Sequence, residues 1–291
     1  KNLGLKVLID KLELNSIGTY ELGFRINPCL NAAGRLEDPI TALNLLLSKD
    51  EDEANKYANE LIHLNKKRQD LTDKILNKIN IDLTNDILII HIEEESNKYI
   101  GIVGLIAGKI SNKYKRPCIV VTGKGKLHGS GRSNGFPINR LIELPFVSGG
   151  GHSLACGIKF DEDNLKELQI LSNKLYRSYN GKNESIKIIE NDINIINDNL
   201  INNINKLQPY GQDNLEPLFF TKNISITDYK LIGNDKFAKV SIMQNFKIFD
   251  GICFNSNLID KLKYANSIVY TLNFNEWNGI KNIQLNIIDI I

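Results

Sequence analysis

At 291 residues the chain is long enough for two domains, each able to bury its own core. Apolar residues make up 42% and charged residues 24%, which excludes a disordered chain. The net charge of +2 neither requires nor excludes a nucleic-acid partner, since such binding needs a local stripe of Lys and Arg, not a global excess. Cys29, Cys118, Cys156 and Cys253 stand far apart with no C-x-x-C pair, which argues against a zinc site or a disulfide scaffold and fits a reducing cytoplasm. No apolar run is long enough for a membrane span, so no membrane partner is expected.

In chain order, Leu3, Leu5, Leu8, Ile9 and Leu12 have the spacing of a short amphipathic helix. The following FRINPCLNAAGRLEDP reads as turn-like around Pro28, Asn31, Gly34 and Arg35, with a second helix expected to start near Asp38 and Pro39. Residues 1–49 are too short for a domain, and their Leu and Ile content predicts packing on the next helix or on residues outside this sequence. Residues 50–81 lack Gly and Pro, and Tyr57, Leu61, Leu64, Arg68, Leu71, Ile75 and Ile79 recur at three- and four-residue spacing. One connecting helix, on the order of 45 Å long, is expected. Lys66, Lys67 and Arg68 in its middle suit either a solvated face or a nucleic acid.

ILIIHI at 87–92 and PCIVVT at 117–122 read as buried strands on either side of a helix over 100–114, a βαβ-like unit with parallel strands. Gly101, Gly104 and Gly108 give that helix a small-residue face for close packing. A strand at 127–132, a short helix at 137–144, a strand at 155–160 and a helix at 161–179 complete an α/β domain with a mixed sheet. Glu93, Glu94 and Glu95 read as a solvated loop, because consecutive residues do not converge on one ion. Asn180, Gly181, Lys182 and Asn183 mark a boundary. Beyond it, strands at 219–226, 229–233, 238–243, 247–254, 267–273 and 280–288, with a helix near 258–263, suit a small β-barrel such as an OB-fold. Phe237, Phe246, Phe249, Tyr270, Phe274 and Trp277, interleaved with lysines, suit either barrel core or stacking platforms for bases.

Chemistry concentrates in residues 126–160. Glycines of GSGRS, at 129–133, are expected to take positive φ and turn N–H groups toward an anion. Ser130 and Arg132 alternate, so on a strand they share a face, and a hydroxyl beside a planar five-donor fork suits a phosphate. Gly149, Gly150 and Gly151 then present His152 on a loop with little to shield it. Either motif alone is equally a tight turn; together in one compact unit they point to anion binding.

NPCLNAAGRLEDP before a long helix, YIGIVGLIAGKISNKYKRPCIVV, GSGRS, GGGHSLACG and LQPYGQDNLEPLF occur in the order found in the RecJ-type exonucleases of the DHH phosphoesterase family, which the whole chain resembles. The resemblance implies the end of a DHH domain at 1–49, a connecting helix at 50–80, a DHH-associated α/β domain at 81–180 and an OB-fold domain at 184–291. It implies 5′-to-3′ hydrolysis of single-stranded DNA in repair and recombination, with Mn²⁺ or Mg²⁺, and a single-stranded-DNA-binding protein or a helicase as protein partners. Carried over by motif, Arg35, Asn31, Ser130, Arg132, Ser133, Gly150 and Gly151 bind phosphate or DNA, and His152 is catalytic, facing the scissile phosphate. Gly211, Asn214 and Pro217 are implied to be structural. The metal ligands of the family are Asp and His of an N-terminal domain, and this sequence has no D-H-H triplet; Asp10, Asp38, Asp70 and the histidines at 63, 91, 128 and 152 match none of those motifs. With Lys1 first and the only Met at 243, the expectation is the C-terminal part of such an enzyme, inactive by itself, with its metal ligands in a preceding domain. A non-catalytic binding subunit and a short-oligonucleotide phosphodiesterase of the same superfamily remain as alternatives.

Overall fold

The computed structural model describes residues 2–93, 99–180, 187–211, 213–277 and 279–291, so Glu94, Glu95 and the 181–183 boundary residues lie outside the described residues, as does the Trp277 side chain. Two compact units divide the chain, residues 1–184 and 185–291.

The first unit opens with helix α1 (Leu3–Lys11), capped by Asn2, followed by a π-helical stretch Glu21–Ile26 that runs directly into α2 (Asn27–Leu36). The expected turn around Pro28 and Arg35 is therefore a helix. Pro28 occupies one of its first positions, where a missing N–H costs nothing, while Cys29, Ala32 and Ala33 are buried. Packing overrides the poor helix propensity of Asn31 and Gly34. After α3 (Ile40–Leu47), Asp50 caps α4 (Glu51–Leu76) by accepting from the Glu53 N–H, and Glu51, Asp52 and Glu53 sit favourably in its first turn. Ala54, Ala58, Leu61 and Leu64 of α4 share a core with α1, α2 and α3. Its far end joins a second core: Ile75 packs with Leu88, Ile90, Ile102 and Val120. The helix is 26 residues, about 39 Å. It stops short of the predicted end because the chain turns at Asn77 and Lys78, which bond back to Asp73 and Ile75 and fold Ile79 and Ile81 onto the second core.

That second core lies on one face of a five-stranded sheet, in the order β1 (Leu88–Glu93), β2 (Cys118–Gly123), β3 (Lys126–Arg132), β5 (Ala155–Asp161), β4 (Ser148–His152). β1 and β2 are parallel and the other pairs antiparallel, the mixed sheet expected. Helix α5 (Ile100–Tyr114) covers β2 and β3 on this face. It ends at Lys115, which is in the left-handed region, two residues before Pro117. The opposite face is apolar: Ile119, Val121, Leu127, Cys156, Ile158 and Phe160 pack under α6 (Leu165–Arg177) and the 3₁₀ turns Ile138–Glu143. Strict alternation thus leaves the other side of β3, β5 and β4 free of large apolar groups.

The second unit is a seven-stranded sheet in the order β6 (Ile188–Glu190), β7 (Leu218–Lys222), β11 (Ser267–Trp277), β12 (Ile280–Ile290), β10 (Lys247–Cys253), β9 (Phe237–Gln244), β8 (Ser225–Ile232). One core including Ile193, Val240, Tyr270, Leu272, Leu285 and Ile287 is shared by these strands with α7 (Asp198–Asn205) and α8 (Ile259–Leu262), the small β-fold expected. The predicted strand 219–226 divides in two because Asn223 takes φ 55°, and β8 absorbs the predicted 229–233. In the preceding loop Asn214 donates to the Leu207 and Pro209 carbonyls, and its own carbonyl accepts from the Gly211 N–H. Among the aromatics, Tyr270 is core, Phe249 and Phe274 pack against the core, and Lys281 Nζ stands 3.8 Å over the Phe274 ring. Phe246 is 98% exposed at the β9–β10 turn. No helix among the described residues is long and apolar enough to cross a membrane.

Candidate nucleic-acid interface

The face that α5 partly covers is laid out by strand register. Arg132, Ala155 and His152 stand opposite one another across β3, β5 and β4; two residues along lie Ser130, Gly157 and Gly150; two further lie His128, Lys159 and Ser148. Ser130 and Arg132 share this face, as their alternation predicts, and Arg132 Nη1 donates to Ser130 Oγ at 3.0 Å. Glycines form the floor of the middle row. The result is a shallow trough with hydroxyl, guanidinium, ammonium and imidazole groups along it.

The expected positive-φ glycines of GSGRS are not how an anion is met here. Gly129 and Gly131 lie inside β3 between β2 and β5, so their amides belong to the sheet, and neither has a positive φ. Their small size serves packing: a Cβ on Gly129 would lie 2.5 Å from Val121 Cγ1, and one on Gly131 2.9 Å from Cys156 Sγ. Likewise GGGH is not a loop but edge strand β4. Gly151 does need φ 151°, and a Cβ there would sit 2.4 Å from the Ala155 carbonyl oxygen. His152 follows it, exposed, at the end of the strand. Ser133 departs from the group: it is buried, and its hydroxyl accepts from the Phe136 N–H at 3.0 Å, fixing a turn.

Three helices meet near the Arg132 end, and two of them, α2 and α4, bring charge. Gly104 of α5 lies against the Ser130–Arg132 pair, where a Cβ would be 2.9 Å from Arg132 Nη2. Gly101, one turn earlier, lies against the backbone of Arg35 at the end of α2, and Arg35 Nη1 donates to the Gly101 carbonyl at 2.9 Å. Asn31, exposed, is one turn before Arg35 on the same helix. Burial, and then the charge of Arg132, pull the Arg35 guanidinium below its ordinary range.

Arg68 of α4, which the sequence offers with Lys66 and Lys67 either to solvent or to a nucleic acid, belongs here. Burial and then Arg35 lower it in turn; its Nη2 donates to Asn65 Oδ1, and its Nε is buried without a partner among the described residues. The signal was its place in the apolar period of α4. Its neighbours Lys66 and Lys67 face out and pair with Asp70 and Glu37. Partly buried guanidinium groups that repel one another favour an anion in their neighbourhood. Such a donor set does not fit a divalent ion, which needs carboxylate or carbonyl oxygens; no group of three or more metal-ligating side chains occurs among the described residues.

Residues 85–177 match the family model of the DHHA1 domain and residues 189–289 that of the RecJ OB domain. The chain is 31% identical to the single-stranded-DNA-specific exonuclease RecJ of Bacillus subtilis (strain 168), over 99% of this chain and 39% of that protein. It is 27% identical to the RecJ of Escherichia coli (strain K12), over 99% of this chain and 54% of that protein. The crystal structure of RecJ from Thermus thermophilus in complex with Mn²⁺ has the same fold, with a TM-score of 0.81 at 24% identity over 99% of this chain and 44% of that one. The chain therefore spans about half or less of these relatives. With both domain models, the curated similarities and the fold in agreement, this chain belongs to the RecJ family, as a portion carrying its DHHA1 and OB domains.

Proposed function

We propose that this chain is the strand-anchoring portion of a 5′-to-3′ single-stranded-DNA exonuclease of repair and recombination, and that the Arg132 end of the trough holds the 5′-terminal phosphate. The Arg132–Ser130 pair on β3, with Arg35 held beside it on the Gly101 carbonyl and Arg68 in turn close enough to act on Arg35, carries this reading. Arg132 supplies a forked donor to the phosphate, Ser130 holds that fork in place beside it, and Arg35 adds charge from α2. Asn31 extends the contact along the same helix. His152, on the outer strand and in the same register row as Arg132, faces the scissile phosphate one nucleotide on, with Gly150 and Gly151 giving the strand room to approach. Hydrolysis uses Mn²⁺ or Mg²⁺, ions present in the solved RecJ structures. The trough itself does not hold them, so this chain's contribution is to bind, orient and neutralise, which is where most of phosphoryl transfer is won. Residues 1–49 then close a DHH domain, and residues 50–80 link it to the DHH-associated domain.

Binding of a short single strand bearing either a 5′-phosphate or a 5′-hydroxyl tests this. The phosphate should strengthen binding about tenfold or more, and Arg132→Ala should abolish that preference. The salt dependence should fall by a log–log slope of about 0.7 in the variant. Equal affinity for the two ends in the unaltered chain would refute the anchor.

A further inference from the structure

The row beyond Ser130 has no task in that reading. His128, Lys159 and Ser148 line up across β3, β5 and β4, two residues along from Ser130, Gly157 and Gly150, a step of about 6.8 Å. A cleft of about 370 Å³ opens between the two rows, bounded by Ile100 and Val103 of α5, by Ser130, and by His128 and Lys159. Gly150 and Gly157 leave its floor bare, with nothing within 4 Å of a Cβ built on Gly150. Lys126 continues the same side of β3, with its Nζ 4.0 Å from Asp161. Burial, then Lys159 and Lys126, hold the His128 imidazole below its ordinary range, so both ammonium groups act on this row.

We propose that the His128–Lys159 row is a second anion subsite, which takes the outer phosphoryl groups of a 5′-di- or triphosphate whose innermost phosphate sits at Ser130 and Arg132. This rests on the anchor reading above. With the 5′-terminal phosphate at Arg132, a strand leaving toward His152 runs across β3, β5 and β4 within one row, whereas the His128–Lys159 row lies along the strands, off that path. An extension at the 5′ end can turn along the strands, past Ser130 and into the cleft. Lys159 supplies a point charge and His128 a ring N–H, and the glycine floor admits the bulk of tetrahedral groups. The same chemistry occurs at the 5′ end of a strand and in a free nucleoside triphosphate.

The test compares binding of one labelled oligodeoxynucleotide carrying a 5′-hydroxyl, a 5′-monophosphate or a 5′-triphosphate, with unlabelled nucleoside mono- and triphosphates as competitors. The triphosphate should bind about tenfold tighter than the monophosphate. His128→Gln combined with Lys159→Gln should reduce that ratio below about twofold, with the hydroxyl-to-monophosphate ratio kept. Equal affinity of the unaltered chain for mono- and triphosphate ends overturns the subsite, and so does a triphosphate gain that survives both substitutions. Competition by free triphosphate, and not by monophosphate, extends the ligand to nucleotides; competition by neither restricts it to strand ends. Equal affinity of the unaltered chain for hydroxyl and monophosphate ends rejects the anchor and, with it, the subsite as placed; a kept monophosphate preference with no triphosphate gain rejects the subsite alone.

Discussion

Ser130 Oγ stands between two partners: it accepts from Arg132 Nη1 at 3.0 Å and donates to the Cys156 carbonyl at 3.2 Å. The hydroxyl thereby ties the guanidinium of one residue to the backbone of the neighbouring strand and sets its direction. Ser130→Ala should weaken binding of a 5′-phosphorylated strand about three- to tenfold without lowering the melting temperature by more than a few degrees. Arg132→Lys should not substitute for Arg132, because an ammonium lacks the fork that reaches hydroxyl and phosphate together. Full binding by the lysine variant would mean that charge alone suffices.

The glycine face of α5 yields a paired prediction. A Cβ on Gly101 would fall 2.0 Å from the Arg35 carbonyl oxygen, whereas one on Gly108 would meet Arg132 Cγ at 4.0 Å. Gly101→Ala should destabilise the fold by about 1–3 kcal/mol and displace Arg35. Gly108→Ala should be neutral or stabilise by up to about 1 kcal/mol through helix propensity. Denaturant unfolding of the two variants decides it; equal effects would dissociate helix spacing from the site.

Arg68 separates binding from stability. Its buried Nε is unpartnered among the described residues and Arg35 repels it, so Arg68→Met should leave unfolding free energy within about 1 kcal/mol or raise it. Affinity for a 5′-phosphorylated strand should nonetheless fall. A loss of stability beyond roughly 2–3 kcal/mol, the scale of a broken buried network, would make Arg68 a structural residue instead.

Strand β2 carries Cys118, fully buried, whose thiol is pushed up to about 12 by burial. Unfolded, the same thiol ionises near 9.0. Between these values the unfolded chain holds fewer protons than the folded one, so this contribution to stability is complete below pH 9 and is lost as pH rises toward 12. Over that range the loss approaches about 4 kcal/mol. Unfolding at about pH 7 and about pH 10.5 should show a smaller alkaline loss for Cys118→Ala than for the unaltered chain; identical losses would exclude this thiol.

Much of the first unit was legible because its periods are clean: Tyr57 to Ile75 gives α4, and the apolar runs at 87–92 and 117–122 give β1 and β2. The S-x-R alternation placed Ser130 and Arg132 on one face from the sequence alone. Position 35 was misread as a turn, since Pro28, Asn31 and Gly34 are local breakers and the packing of Ala32 and Ala33 that overrides them is not local. The GSGRS glycines, expected at positive φ, and GGGH, expected as a loop, were misread for a related reason. Glycine in a strand signals close approach of a neighbour as readily as a turn, and only the register distinguishes them. Of the run Lys66, Lys67 and Arg68, only Arg68 turns inward, because it alone keeps the apolar period of α4.

The hydrogen bond from Arg35 to the Gly101 carbonyl spans 66 residues of chain, and Arg68 and Arg132 enter from still other segments. Such a constellation carries no meaning in any fragment of the sequence. It comes into being when the helical core around Leu61 and the sheet core around Ile106 have both formed and α5 has settled between them. Contacts of that separation close late in folding, because chain entropy must be overcome first. During synthesis the proposed phosphate anchor would therefore be absent until β3 and α5 have joined the helical core, and complete before the second unit has been made.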